Sequence, residues 1–212
     1  MTRLRLLPTL GLAGALLLWG GPVTAQDEAD ESGAPEATIV ADDPRLGALE
    51  ALVPPALVGL PLRENLQLAT GEQMVEVMQP QEATVLRELL EASGLTVADY
   101  AAAATYLRLN GTRLVDIQAH RIADVEAART MDAWVEILSM SVAQPQVDEG
   151  VIGGRQVTLM SDTASEAAPV LHMFPAGDVV WMVWTDDAAL VEATMDAVGA
   201  DDPEADAVEV TE

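Results

Sequence analysis

The stretch AAAATYLRLNGTRLVDIQAHRI, residues 101–122, decides the fold. Two β-compatible runs flank Asn110-Gly111, a pair that accepts positive φ and so favours a tight type I′ hairpin. The residues leave its register open. A two-residue loop sets Arg108 opposite Arg113, whereas a three-residue loop pairs Leu107 with Val115. Val115, Ile117 and Ala119 are expected to point inward, and one residue of slip would exchange the faces.

Upstream of this hairpin, LGALEALVPPALVGLPL (46–62) begins as a short helix that must break at Pro54-Pro55. Leu66 and Leu68 then alternate with Asn65 and Gln67, which predicts a first strand. QEATVLRELLEASG (81–94) predicts a helix with Val85, Leu86, Leu89 and Leu90 on one face and Gly94 as its stop. Downstream, ADVEAARTMDAWVEILSM (123–140) predicts a helix capped by Asp124, with a buried stripe of Val125, Ala128, Met131, Val135 and Leu138. GGRQVTLMSD, then APVLHMFPAGDVVWMVWTDD, then DAALVEATMDAVG predict a strand, a second hairpin and a helix ending at Gly199. VVWMVW (179–184) is apolar on both faces, as a central strand should be.

The fold class expected is α+β: a mostly antiparallel sheet of about six strands with three helices on one face. The other face is then left to solvent or to a docking partner. TMDA occurs at 130–133 and again at 194–197, and placing Gly111 on Gly177 aligns the two hairpins at nearly the same offset. Two pseudo-repeated halves are therefore expected, at about 58–140 and 151–199.

LVPPALVGLPL, the hairpin, VIGGRQVTLMSD and TDDAALVEATMDAV together resemble the pattern of exported proteins of GC-rich bacteria that have no assigned activity. The resemblance spans roughly 49 to 198 and implies export and a degenerate duplicated strand-hairpin-helix unit. It carries over no functional residue.

At the N-terminus, Arg3 and Arg5 precede an apolar run from Leu6 to Trp19 and small residues at Val23 and Ala25. These three parts read as a secretory signal peptide over 1–25, with an uncleaved anchor as the lesser alternative. An exported protein, periplasmic or extracellular, is expected. An acidic, disordered linker (26–44) and an acidic, disordered tail (201–212) flank one domain at 45–200, since those tails hold 13 of the 35 Asp and Glu.

Removing the signal leaves 8 Arg against 35 acidic residues, a net charge of -27. Such a field repels phosphate backbones and anionic membrane surfaces, so neither nucleic acid nor such a membrane is an expected partner. The chain has no Cys, which excludes disulfides and thiol chemistry. All ten cationic residues are Arg, so P-loop, Schiff-base and Ser-Lys chemistry lack their obligatory Lys.

With two His in the chain, an imidazole mechanism must use His120 or His172. His120 shares a strand face with Gln118 and Asp116, which is expected to be the polar face. Asp116 lies four strand residues away, about 13 Å, too far to chelate one ion with His120. The doublets Asp42-Asp43, Asp186-Asp187 and Asp201-Asp202 match no EF-hand loop, and Asp186-Asp187 reads as a helix N-cap. No G-x-S-x-G occurs, and Ser161-Asp162 reads as a strand end before a turn. No cofactor or metal site is expected. Trp181 and Trp184 fall on opposite faces of the central strand. They join His120 and His172 as candidate ligand-binding residues, with Met74, Met78, Met140, Met160, Met173 and Met182 as an adaptable apolar lining. The function expected is a non-catalytic binding or interaction module, its partner a protein or a small apolar ligand. The alternatives are a hydrolase using a His and a carboxylate, or a Ca²⁺-dependent surface protein.

Overall fold

The computed structural model describes residues 43–110, 112–165 and 168–199. The expected signal, nearly all of the acidic linker and the acidic tail lie outside the described residues. The architecture is α+β on a large antiparallel sheet. Helix α1 (Pro44–Leu52) starts with Pro at its first turn, and the carboxylate of Asp43 accepts the Arg45 amide at 2.9 Å. After Pro54-Pro55 the short strands β1 (Ala56–Leu57) and β2 (Leu60–Pro61) pair with each other. Then follow β3 (Gln67–Thr70), α2 (Gly71–Val77), α3 (Pro80–Ala92), β4 (Tyr100–Leu109) and β5 (Thr112–Ile122). The chain continues through α4 (Met131–Ser141), β6 (Pro145–Ile152), β7 (Arg155–Asp162), β8 (Leu171–Ala176), β9 (Val179–Trp184) and α5 (Ala188–Val198). The sheet order is β3-β4-β5-β9-β8-β7-β6, antiparallel throughout.

The hairpin satisfies both of its candidate registers. Leu109 pairs with Thr112 and Arg108 with Arg113, so the loop has two residues. A β-bulge then leaves Leu114 unpaired and brings Leu107 opposite Val115. Val115, Ile117 and Ala119 are buried, as the alternation requires. Strand β9 is buried along its whole length, between β5 and β8.

Three expectations need correction. Among the described residues the sheet has seven strands rather than about six, because PQVDEGVI forms the edge strand β6. Among the described residues there are five α-helices rather than three, and they cover both faces. On one face α2, α3 and α4 bury Met74, Leu86, Leu90, Trp134 and Ile137. On the other, α1 and α5 bury Leu46, Leu49, Leu190, Val191 and Met195, each large apolar side chain contributing about 1.5 to 3 kcal/mol. No bare sheet face remains over the central strands. The third correction concerns the duplication. Strands β3-β4-β5 and β7-β8-β9 do meet at an antiparallel β5–β9 seam, but a twofold axis relating antiparallel neighbours keeps sheet faces together. It would put α4 and α5 on one side, and they lie on opposite sides. The two TMDA copies are not equivalent either, since one opens α4 and the other lies in the second half of α5.

Helix α4 also begins later than expected. Asp124 has φ 60° and occupies a turn, and a 3₁₀ turn at Ala127–Thr130 precedes the helix. The buried stripe is therefore Thr130, Trp134, Ile137 and Leu138, with Ala128 exposed. Helix α2 follows directly from β3 through a capping box: the Gln73 amide donates to Thr70 Oγ1 at 3.4 Å and Gln73 Oε1 accepts the Thr70 amide at 2.9 Å. Its first residue must be Gly71, because a Cβ there would lie 1.9 Å from the Val97 carbonyl oxygen.

Candidate functional site

His120 is the chemically richest residue inside the sheet. Strand β5 directs Asp116, Gln118 and His120 to one face, as the alternation predicts. That face is not solvated at His120, which is only 6% exposed. Trp134 of α4 packs on its ring, with centroids 4.4 Å apart, and Tyr100 of β4 stacks beside it at 6.1 Å. The Tyr100 hydroxyl donates to Nδ1 at 2.6 Å, so the neutral ring carries its proton on Nε2 and donates to Gln118 Oε1 at 3.2 Å. Burial pushes the imidazole down to about 3 and raises the Tyr100 phenol. The ring is held neutral with both nitrogens occupied, which leaves it no free lone pair to act as a base.

Around this trio lies a small polar and sulfur-lined space. Glu82 of α3, 4% exposed, accepts the Gln79 amide at 3.0 Å through Oε2 and the Ser141 hydroxyl through Oε1. Trp134 Nε1 is buried without a protein partner. Met74, Met78 and Met182 complete the lining, in a cavity of about 20 Å³. That volume suits one water molecule, against the several hundred Å³ of a ligand pocket. Met160 lines a second space of about 10 Å³ with Leu171 and Trp184. Met173 is fully buried, and Met140 is on the surface.

The expected site residues do not converge. His120 and Trp184 belong to the face under α3 and α4, whereas His172 and Trp181 belong to the face under α1 and α5. His172 donates from Nδ1 to the Val183 carbonyl at 3.3 Å. Burial lowers its pKa, against the opposing pull of the Val183 and Val170 backbone and of Asp186. Asp116 is paired with Arg113 rather than directed at His120. Both Arg113 and Arg108 lie over the Tyr106 ring, at 4.5 and 4.9 Å. Asp187 caps α5 by accepting the Ala189 amide at 2.9 Å, and Asp162 Oδ1 accepts the Ala164 amide at 2.9 Å in the turn after β7.

The surface feature that sequence reasoning missed is β6. Its eight residues pair without interruption with β7 through the two-residue turn Gly153-Gly154, whose φ values of 57° and 83° fit type I′. The Gly153-Gly154 pair ahead of the β7 run was the available signal. Among the described residues β6 has a strand neighbour on one side only. Val147 and Val151 are 43% and 61% exposed.

Comparison of the chain with family models, with curated proteins and with solved structures finds no match in any of the three.

Proposed function

We propose that this chain is an exported, non-catalytic binding module that engages another protein through its surface. The observation that carries the reading is β6, an eight-residue strand at the edge of the described sheet, paired without a bulge and bearing two exposed valines. An edge of that kind presents unpaired backbone groups to any extended chain that approaches it. The interior adds support from the other direction. Its histidines are buried on opposite faces, and the spaces beside His120 and Trp184 are of water size rather than ligand size.

The test is native mass spectrometry of mature protein released gently from the cells that make it, after mild crosslinking. A complex with a second polypeptide, crosslinked through the described domain, is the expected result. Turnover on ester, phosphate or glycoside substrates that disappears in His120→Ala or His172→Ala would replace this reading with the hydrolase one.

A further inference from the structure

We infer that β6 accepts a cationic, extended segment of a partner protein, which joins the sheet as an added antiparallel or parallel strand. The inference rests on the binding-module reading and names the chemistry of its partner. The two-residue turn makes Ile152–Arg155 a hydrogen-bonded pair, and alternate pairs follow it along the ladder. Val147, Glu149 and Val151 therefore direct their N–H and C=O groups away from β7, to the side on which no described strand pairs. Gly150 keeps the strand thin, with the Leu159 side chain lying where a Cβ would make a 3.0 Å contact.

Charge selects among the possible occupants. β6 carries Asp148 on one face and Glu149 on the other, and it has no cation. The nearby Arg155 is engaged by Asp196 of α5. A second copy of this chain is a poor occupant. Twofold pairing keeps like faces together and joins odd positions to odd, so the two registers of greatest overlap set Asp148 against Asp148 or Glu149 against Glu149. Like charges directly opposite each other destabilise a strand pair. The chain's own acidic segments, 26–44 and 201–212, contain no Arg or Lys and meet the same repulsion. A segment with Arg or Lys facing Asp148 and Glu149, and apolar residues beside Val147 and Val151, meets neither obstacle.

The experiment uses the full mature chain and two capped nonapeptides, one with two central arginines flanked by valine and threonine, the other with two central glutamates. Hydrogen exchange and calorimetry are read together. The arginine peptide is expected to slow exchange at the amides of Val147, Glu149 and Val151, and the glutamate peptide is not. Val147→Pro removes an outward N–H at an edge position that tolerates proline, and should weaken binding about tenfold. The double variant Asp148→Lys, Glu149→Lys should reverse the preference between the peptides, which tests the inference even if the proline variant does not fold. Equal binding to all variants would mean bulk attraction to an acidic chain and would overturn the inference. So would protection elsewhere, no binding, or edge amides already protected in the free chain. If a partner polypeptide nevertheless remains on the protein taken from cells, the inference fails and the binding-module reading stands. If none remains, both fail.

Discussion

Lowering the pH should destabilise this protein through His120, in a window that opens above the range where ordinary carboxylates titrate. The imidazole has a pKa of about 3 in the native state, against 6.5 when free, and burial is the cause. Between those values the unfolded chain binds a proton that the native chain excludes. Stability is therefore fully present above pH 6.5 and declines as pH falls toward 3, at about 1.4 kcal/mol per pH unit. From pH 6.5 to 5 the loss is about 2 kcal/mol, a large share of the stability of a domain this size. His172, lowered by burial as well, adds in the same direction. His120→Gln isolates the effect. At pH 7 the variant should be less stable by about 1 to 3 kcal/mol, having lost the ring contact with Trp134 and the fitted Tyr100 bond. By pH 5 the gap should have narrowed by about 2 kcal/mol. Urea unfolding at a series of pH values, followed by tryptophan fluorescence, measures both curves, and Trp134 sits against the ring as reporter. Parallel curves for parent and variant, or a native His120 titrating near 6.5 by NMR, would refute the reasoning.

Gly71→Ala should lower the urea midpoint by the equivalent of about 2 to 3 kcal/mol, because its Cβ meets the Val97 carbonyl, a backbone atom that cannot swing aside. Glu82→Ala should cost about 1 to 3 kcal/mol by leaving the Gln79 amide and Ser141 hydroxyl unpaired. Ser141→Ala should cost less, and a double-mutant cycle should show the two to be non-additive. Asp187→Ala should cost about 1 kcal/mol through the lost cap of α5, measured by thermal unfolding. Replacing Asp148 and Glu149 by Thr removes the like-charge opposition between copies, and sedimentation should then detect self-association at lower concentration than for the parent. An unchanged monomer over the same range would count against the charge argument.

What could be read in the sequence was whatever local chemistry decides. The Asn110-Gly111 hairpin, the apolar face of α3 and the central strand VVWMVW each carry their signal within a few residues. The missed elements lack such a signal or draw it from afar. β6 is exposed along most of its length, with Gly150 and Ile152 alone half-buried, so its one clear mark was the Gly153-Gly154 turn that follows it. α2 has seven residues and buries chiefly Met74, and its one local mark was the Thr70–Gln73 capping box. His120 was expected on a polar face because Gln118 and Asp116 flank it, and the cover that buries it comes from Trp134, fourteen residues on in another layer. The second helical layer was equally hidden. β9 is apolar on both faces, which already required cover on both, but α1 offers only Leu46 and Leu49 as a buried stripe.

The polar cluster at His120 has a structural explanation that accounts for its cost. β4 begins YAAAAT, and four successive alanines offer almost nothing to distinguish one register from the next. A slip of one residue against β5 would turn every side chain to the opposite face. Tyr100 is the residue that breaks the degeneracy, since its hydroxyl reaches His120 diagonally across the strand pair, where Ala102 is the direct partner. After a slip the phenol and imidazole would be buried unpaired, at about 1 to 3 kcal/mol each. The bulge at Leu114 fixes the same pair from its far end. The alanines in turn let helices approach both faces closely, which residues of higher β-propensity would prevent. Small side chains set the spacing, and one buried hydrogen bond sets the register.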